Sequence, residues 1–205
     1  MGSPLFQQFC IPRKAYVNKL KKALVIVDVQ PTFCEGGSLP VDGGNKVAKQ
    51  IATFVSDDES YDCIITTQDW HIDPGMHFSD EPNYQDTWPP HGLAGTDEAD
   101  LHPELLNIIG KINYSVKKGM HKAAYSGFEG SDGEESLKQI LTKESIASID
   151  IVGLAFDHCV KATAIDSAQA GFKTRVLSKF TAAVSPANTN VVSDEMRSHG
   201  IEVIK

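Results

Sequence analysis

The sequence predicts a three-layer, doubly wound α/β domain, with a mostly parallel six-stranded sheet and helices on both faces. Short β-branched apolar runs read as strands buried on both sides, and they alternate with segments of helical period. The chain has 205 residues, 41% of them hydrophobic and 22% charged, so it sits near the length of one domain and can bury a core without disulfides.

Ala23-Leu24-Val25-Ile26-Val27 is the first strand, and Val47, Ala48, Ile51, Phe54 and Val55 share one stripe of the helix after it. Cys63-Ile64-Ile65 and Ile112 to Val116 read as the second and third strands. Ser131 with Glu134 has the spacing of a capping box for a helix burying Leu137, Ile140 and Leu141. Ile149 to Gly153 is a fourth strand, leading into a helix from about Cys159 to Ala170 that ends at Gly171. Thr174 to Leu177 is a fifth. Ser185-Pro186 opens a helix closing at Gly200, and Ile201 to Ile204 is the last strand. Such a sheet binds ligands beyond the carboxyl ends of its strands.

Residues 1–22 form an N-terminal extension, and 23–205 a single domain. The extension is basic, yet it lacks the apolar stretch of a secretory signal and the serine of an organelle address. With 19 Lys+Arg against 27 Asp+Glu, the net charge of -8 disfavours nucleic acid as a partner. No apolar run approaches the ~18 residues of a membrane span. Cys10, Cys34, Cys63 and Cys159 show no framework spacing and no C-x-x-C, so they read as reduced thiols in a cytoplasmic protein.

Between Gln68 and Lys111 the periodicity fails over about forty residues rich in Pro, Gly, His and Trp, a length that usually signals function or disorder. Two tryptophans and four histidines argue against disorder. Asp69-x-His71-x5-His77, with His91 farther on, is either a metal-ligand set or a polar loop. In extended chain Asp69 and His71 point the same way, and a nitrogen/oxygen set without cysteine suits zinc, iron or manganese. Asp28 follows the first strand as a general base or a turn carboxylate. If Asp157 is the N-cap, Cys159 stands in the first helical turn. There the N–H groups and dipole favour a thiolate and an oxyanion; the alternative is a core thiol. Lys118, after the third strand, is a charge partner for that thiolate or a surface lysine.

These residues add up to a resemblance. Val25-Ile26-Val27-Asp28-Val29-Gln30 with Phe33-Cys34-Glu35-Gly36-Gly37-Ser38-Leu39 resembles the opening motif of nicotinamidases in the isochorismatase-like hydrolase family. Asp69-Trp70-His71-Ile72-Asp73-Pro74-Gly75 through His77, then Trp88-Pro89-Pro90-His91, resembles their metal loop. Lys118-Gly119 with Ala124-Tyr125-Ser126-Gly127-Phe128-Glu129-Gly130 is similar to their lysine motif, and Gly153-Leu154-Ala155-Phe156-Asp157-His158-Cys159-Val160 to their nucleophile motif. Phe156 and Met120-His121-Lys122 depart from the pattern, and residues 1–22 have no counterpart in the family's short forms.

The resemblance implies hydrolysis of nicotinamide to nicotinate and ammonia in NAD salvage, with pyrazinamide as a second substrate. It implies Cys159 as nucleophile, Asp28 as its base and Lys118 as charge partner of both. Asp69, His71, His77 and His91 would ligate one divalent metal, zinc foremost and iron or manganese otherwise. The family also suggests a cis peptide between Leu154 and Ala155, with the N–H groups of Ala155 and Cys159 as oxyanion hole. Phe33 and Trp88 would flank the pyridine ring, with Tyr125 and His158 nearby. Sibling amidases acting on carbamoyl, ureido or maleamate substrates are rivals, but they are expected to manage without that metal set.

Overall fold

A computed structural model describes residues 20–205. Cys10 and most of the N-terminal extension lie outside the described residues. The strands are β1 (Lys21–Val27), β2 (Cys63–Asp69), β3 (Tyr114–Lys118), β4 (Ser131–Asp132), β5 (Glu135–Ser136), β6 (Ile146–Leu154), β7 (Lys173–Ala182) and β8 (Glu202–Ile204). The helices are α1 (Gly44–Asp57), α2 (Leu137–Lys143), α3 (Lys161–Gln169) and α4 (Thr189–Ser198). All eight strands form one sheet in the order β5-β4-β3-β2-β1-β6-β7-β8. The six expected strands pair in parallel. The other two, β4 and β5, add an antiparallel edge of two residues each, too short to leave a pattern in sequence.

Side-chain alternation along β1 splits the core into the two expected layers. Ala23, Val25 and Val27 face the layer containing Leu137 and Ile140 of α2, Ala164 of α3 and Met196 of α4. Leu24 and Ile26 face Val47, Ala48, Ile51 and Val55 of α1, with Leu105 and Ile108 from a 3-10 segment beside it. The strand order reverses between β1 and β6, which places the ligand crevice at their carboxyl ends. Among the described residues no helix is long and apolar enough to cross a membrane.

Several boundaries differ from expectation. β3 begins at Tyr114, because Asn113 closes the preceding segment by exchanging hydrogen bonds with Ile64; Lys118 is therefore the strand's last residue. The box capping α2 is Ser136 with Gln139, directly before the apolar stripe, while Ser131 is taken up by β4. β1 starts at Lys21 and β6 at Ile146, and β7 runs on to Ala182 through a register shift opposite Ile151 and Gly153. The expected helix at Cys159 opens as a π turn over Phe156–Val160 before α3 begins. Pro186 starts a 3-10 turn ahead of α4.

Candidate active site

Each of the expected catalytic side chains lies at the carboxyl edge of the sheet. Asp28 follows β1, Asp69 and Lys118 end β2 and β3 as direct cross-strand partners, and Cys159 lies just beyond β6. Lys118 is buried at the centre. Its Nζ sits 3.0 Å from Asp28 Oδ2 and 3.8 Å from Cys159 Sγ, donates to the Ala124 carbonyl at 3.3 Å, and makes a close ion pair with Asp69 Oδ1. Asp28 has φ +48, an uncommon conformation for a residue with a side chain, and it turns the carboxylate back over the sheet edge.

Electrostatics set the resting charges. Burial pushes Asp28 above the usual carboxylate range, against the opposing pull of Lys118. Burial also opposes ionisation of Asp69, but Lys118 with His71 and His91 outweighs it and holds that carboxyl well below normal. For Lys118, burial is outweighed by Asp28, Asp69 and Cys159, so the ammonium is retained well above its ordinary value. Burial pushes the Cys159 thiol up; Lys118 opposes this, and the Asp28 carboxylate that accepts its proton reinforces it.

The sequence-based expectation of a thiolate in an α-helical first turn is thereby corrected. The turn is π-helical, Ala155 occupies the cap position, and the buried group rests as a thiol. Asp157 is no cap. Its carboxylate accepts from the Val184 and Ser185 amides at 2.9 and 2.8 Å and lies 3.2 Å from His158 Nδ1, tying the nucleophile turn to the loop after β7. The Leu154–Ala155 peptide is cis, as expected.

His71, His77 and His91 present ring nitrogens within 4.8 Å of one another, all buried. Asp69 Oδ2 joins them, 3.5 Å from His71 Nε2 and 3.6 Å from His91 Nε2. The outer nitrogens are held by main chain: His71 Nδ1 lies 2.6 Å from the Gly119 carbonyl, and His91 Nδ1 2.8 Å from that of Pro89. That arrangement leaves Nε2 free to ligate. A Cβ at residue 119 would stand 2.5 Å from the His71 ring, so Gly119, at φ +75, is required for the imidazole to seat. His71 Nε2 and His77 Nδ1 are buried without hydrogen-bond partners, and burial lowers His77 to about 4, which keeps it neutral. Orphaned ring nitrogens beside an ionised carboxylate fit a divalent metal.

These groups border a largely apolar cavity of about 410 Å³. Phe33, Trp88, Tyr125, His158, Ala155 and Cys159 all line it. Trp88 Nε1 donates to Tyr125 Oη at 2.9 Å, and its ring meets His158 edge-on with centroids 5.4 Å apart. Leu39, Tyr84 and Val184 also line the wall; Leu39 closes the opening motif, while no motif marks Tyr84 or Val184. Sequence reasoning assigns no functional role to Gln30 or Thr67. Gln30 brackets the Asp69 main chain with bonds of 2.9 Å to its N–H and carbonyl, and Thr67 donates to Asp28 Oδ1 at 2.6 Å. Their signal was faint: Gln30 stands in the opening motif, and Thr67 is a polar residue near the end of a buried strand. Cys34 and Cys63 are buried in the core, their thiols raised by burial to about 12 and about 11, in keeping with a structural reading.

Comparison with known proteins bears on this geometry. The Isochorismatase domain profile matches residues 22–205. The nicotinamidase/pyrazinamidase of Mycobacterium tuberculosis is 44% identical over 89% of this chain and 98% of its own length. The yeast nicotinamidase bound to the inhibitor nicotinaldehyde superposes with a TM-score of 0.78 at 28% identity, covering 90% of this chain and 99% of that one. A pyrazinamidase of Pyrococcus horikoshii in complex with zinc gives 0.73 at 29% identity, covering 90% and 99%.

Proposed function

The chain belongs to the isochorismatase domain family, and we propose from that premise that it is a nicotinamidase, cleaving nicotinamide to nicotinate and ammonia and accepting pyrazinamide as well. The observation that carries the reading is the convergence of Cys159, Lys118 and Asp28 with three buried histidines on one apolar, aromatic-walled cavity. Such a cavity fits a small flat heteroaromatic amide between Phe33 and Trp88. Residues 23–205 act as one hydrolase domain preceded by the extension 1–22, in the cytoplasm, where free Cys34, Cys63 and Cys159 stay reduced.

Asp28 takes the thiol proton as Cys159 Sγ attacks the carbonyl carbon. The N–H groups of Ala155 and Cys159 hold the developing oxyanion, and Lys118 keeps the Asp28 carboxyl beside the sulfur while compensating its charge. The proton then passes from Asp28 to the amide nitrogen, the C–N bond breaks, ammonia leaves and a thioester remains. A water deprotonated by Asp28 attacks the thioester and restores the thiol. Asp69, His71, His77 and His91 would hold a divalent metal, zinc foremost, which would supply a Lewis acid for a ring nitrogen and so help to orient the amide.

Ammonia release from nicotinamide tests the reading, with Cys159→Ala as the blank. We expect the variant to lose at least roughly 10³-fold in activity while keeping its metal and its folding transition. Release by both proteins would remove Cys159 from the reaction. Release by neither, with metal bound, would turn the assignment to carbamoyl or maleamate substrates.

A further inference from the structure

Asp28 has two carboxylate oxygens, and the mechanism needs one of them aimed at the sulfur with a fixed direction. We infer that Thr67 is a positioning residue whose hydroxyl holds Asp28 Oδ1 and so dedicates Oδ2 to proton transfer with Cys159. The inference rests on the amidase reading above and deepens it.

The geometry is specific. Thr67 and Asp28 are both fully buried, Thr67 in β2 opposite Val27 of β1 and Asp28 just beyond the end of β1. The Thr67 hydroxyl donates to Asp28 Oδ1 at 2.6 Å and accepts from the Asp28 N–H at 3.3 Å, while the Thr67 carbonyl accepts from the same N–H at 3.1 Å. Asp28 is thus gripped at main chain and side chain together, at a left-handed backbone position. With Oδ1 engaged, Oδ2 is the oxygen left beside Lys118 Nζ at 3.0 Å, and it has no aligned hydrogen-bond partner of its own. A buried acceptor in that condition is poised to receive a proton.

The methyl group of Thr67 has a separate task. It sits so close to Gly127 that a Cβ there would lie 2.8 Å from Thr67 Cγ2. Gly127 N–H is itself held by Thr163 Oγ1 at 2.9 Å, so the surface against the methyl does not yield. Fixing the methyl fixes χ1, and fixing χ1 aims the hydroxyl. Thr67 stands outside the cavity wall and contributes through Asp28 alone.

The test is steady-state ammonia release by the metal-loaded full chain and by Thr67→Val, Thr67→Ala and Thr67→Ser, each with its metal content measured. In Thr67→Val we expect kcat to fall roughly 10- to 100-fold, the size expected for losing one hydrogen bond to a charged group, with KM and metal content unchanged. Thr67→Ser, which keeps the hydroxyl, should stay within about threefold of native kcat. Should the valine variant fail to fold, the Ala and Ser variants carry the comparison, since both lack the methyl and differ in the hydroxyl alone. Equal kcat for Ala and Ser, or a valine variant as fast as native, would overturn the inference while the amidase reading stands. A shared loss of kcat, KM and metal in all three would also overturn it, marking Thr67 as structural. A native chain that releases no ammonia from nicotinamide would remove the amidase reading and this inference with it.

Discussion

Two buried charge networks occupy this sheet, and they are built to opposite rules. Toward the amino end, Asp150 of β6 is saturated. Its Oδ1 accepts from Arg175 Nε at 2.7 Å, and its Oδ2 from Arg175 Nη2 and Tyr61 Oη at 2.7 Å, with Lys22 Nζ at 2.9 Å. At the carboxyl edge, Lys118 is shared among Asp28, Asp69 and Cys159, while Asp28 Oδ2, His71 Nε2 and His77 Nδ1 lack aligned partners. Every polar atom of a buried structural network must be satisfied, or the desolvation cost is not offset. Among the described residues such atoms gather at this site, where in the proposed reading a metal, a substrate and a moving proton would complete the bonding. Charge and burial are common to both networks; the difference lies in the open valences.

Removing the central charge from each network sharpens the contrast. Lys118→Met leaves two buried carboxylates facing each other, and one must take up a proton. We expect ammonia release to fall at least roughly 10³-fold, with a stability loss of about 3–5 kcal/mol by thermal unfolding. Asp150→Asn should instead cost stability alone, about 2 kcal/mol, because Arg175 and Lys22 are part-exposed and recover some hydration; kcat should be unaffected.

Asp28 and Asp150 are also shifted in opposite directions, Asp28 raised by burial and Asp150 lowered by its partners. For Asp150, burial is outweighed by Arg175, Lys22 and Tyr61, and its folded pKa is lowered. Its contribution is therefore complete above the unfolded carboxyl value of about 4 and fades as pH falls through the lower folded value. The stability gap between native and Asp150→Asn should close on acidification below about pH 4. A gap that widened there, or a loss of turnover in the variant, would break the distinction between the networks.

The active end was far more legible in sequence than the structural end, for a physical reason. Asp28, Lys118 and Cys159 each follow or close an apolar strand, and a parallel sheet brings strand ends together whatever the intervening chain does. Asp69, His71 and His77 are close neighbours in the chain, so spacing alone exposed them. Asp150 gave no such signal, because its partners Lys22, Tyr61 and Arg175 come from β1, the approach to β2, and β7. Thr67 and Gln30 depended likewise on the register of β1 against β2, which a single sequence does not declare. The Asp157 cap failed because the chain opens with a π turn, whose extra residue carries that carboxylate round to Val184 and Ser185.

The smallest expected effect concerns a neutral bond between the two extremes. Trp88 Nε1 donates to Tyr125 Oη at 2.9 Å across the cavity wall, and Tyr125 Oη in turn donates to the Gln85 carbonyl at 3.3 Å. Neither group carries charge, so the bond orients the ring that would face the pyridine without holding any proton in the reaction. Trp88→Phe keeps an aromatic face toward His158 and deletes the donor. Tyr125 retains its bond to Gln85 and is only half-buried, so little desolvation is left uncompensated. We expect KM for nicotinamide to rise about two- to fivefold, the scale of one neutral hydrogen bond, with kcat and the melting transition unchanged. A kcat loss comparable to that of Lys118→Met would mean that the cavity wall takes part in the chemistry, and that open valence at the ionic cluster is not what separates reacting groups from supporting ones.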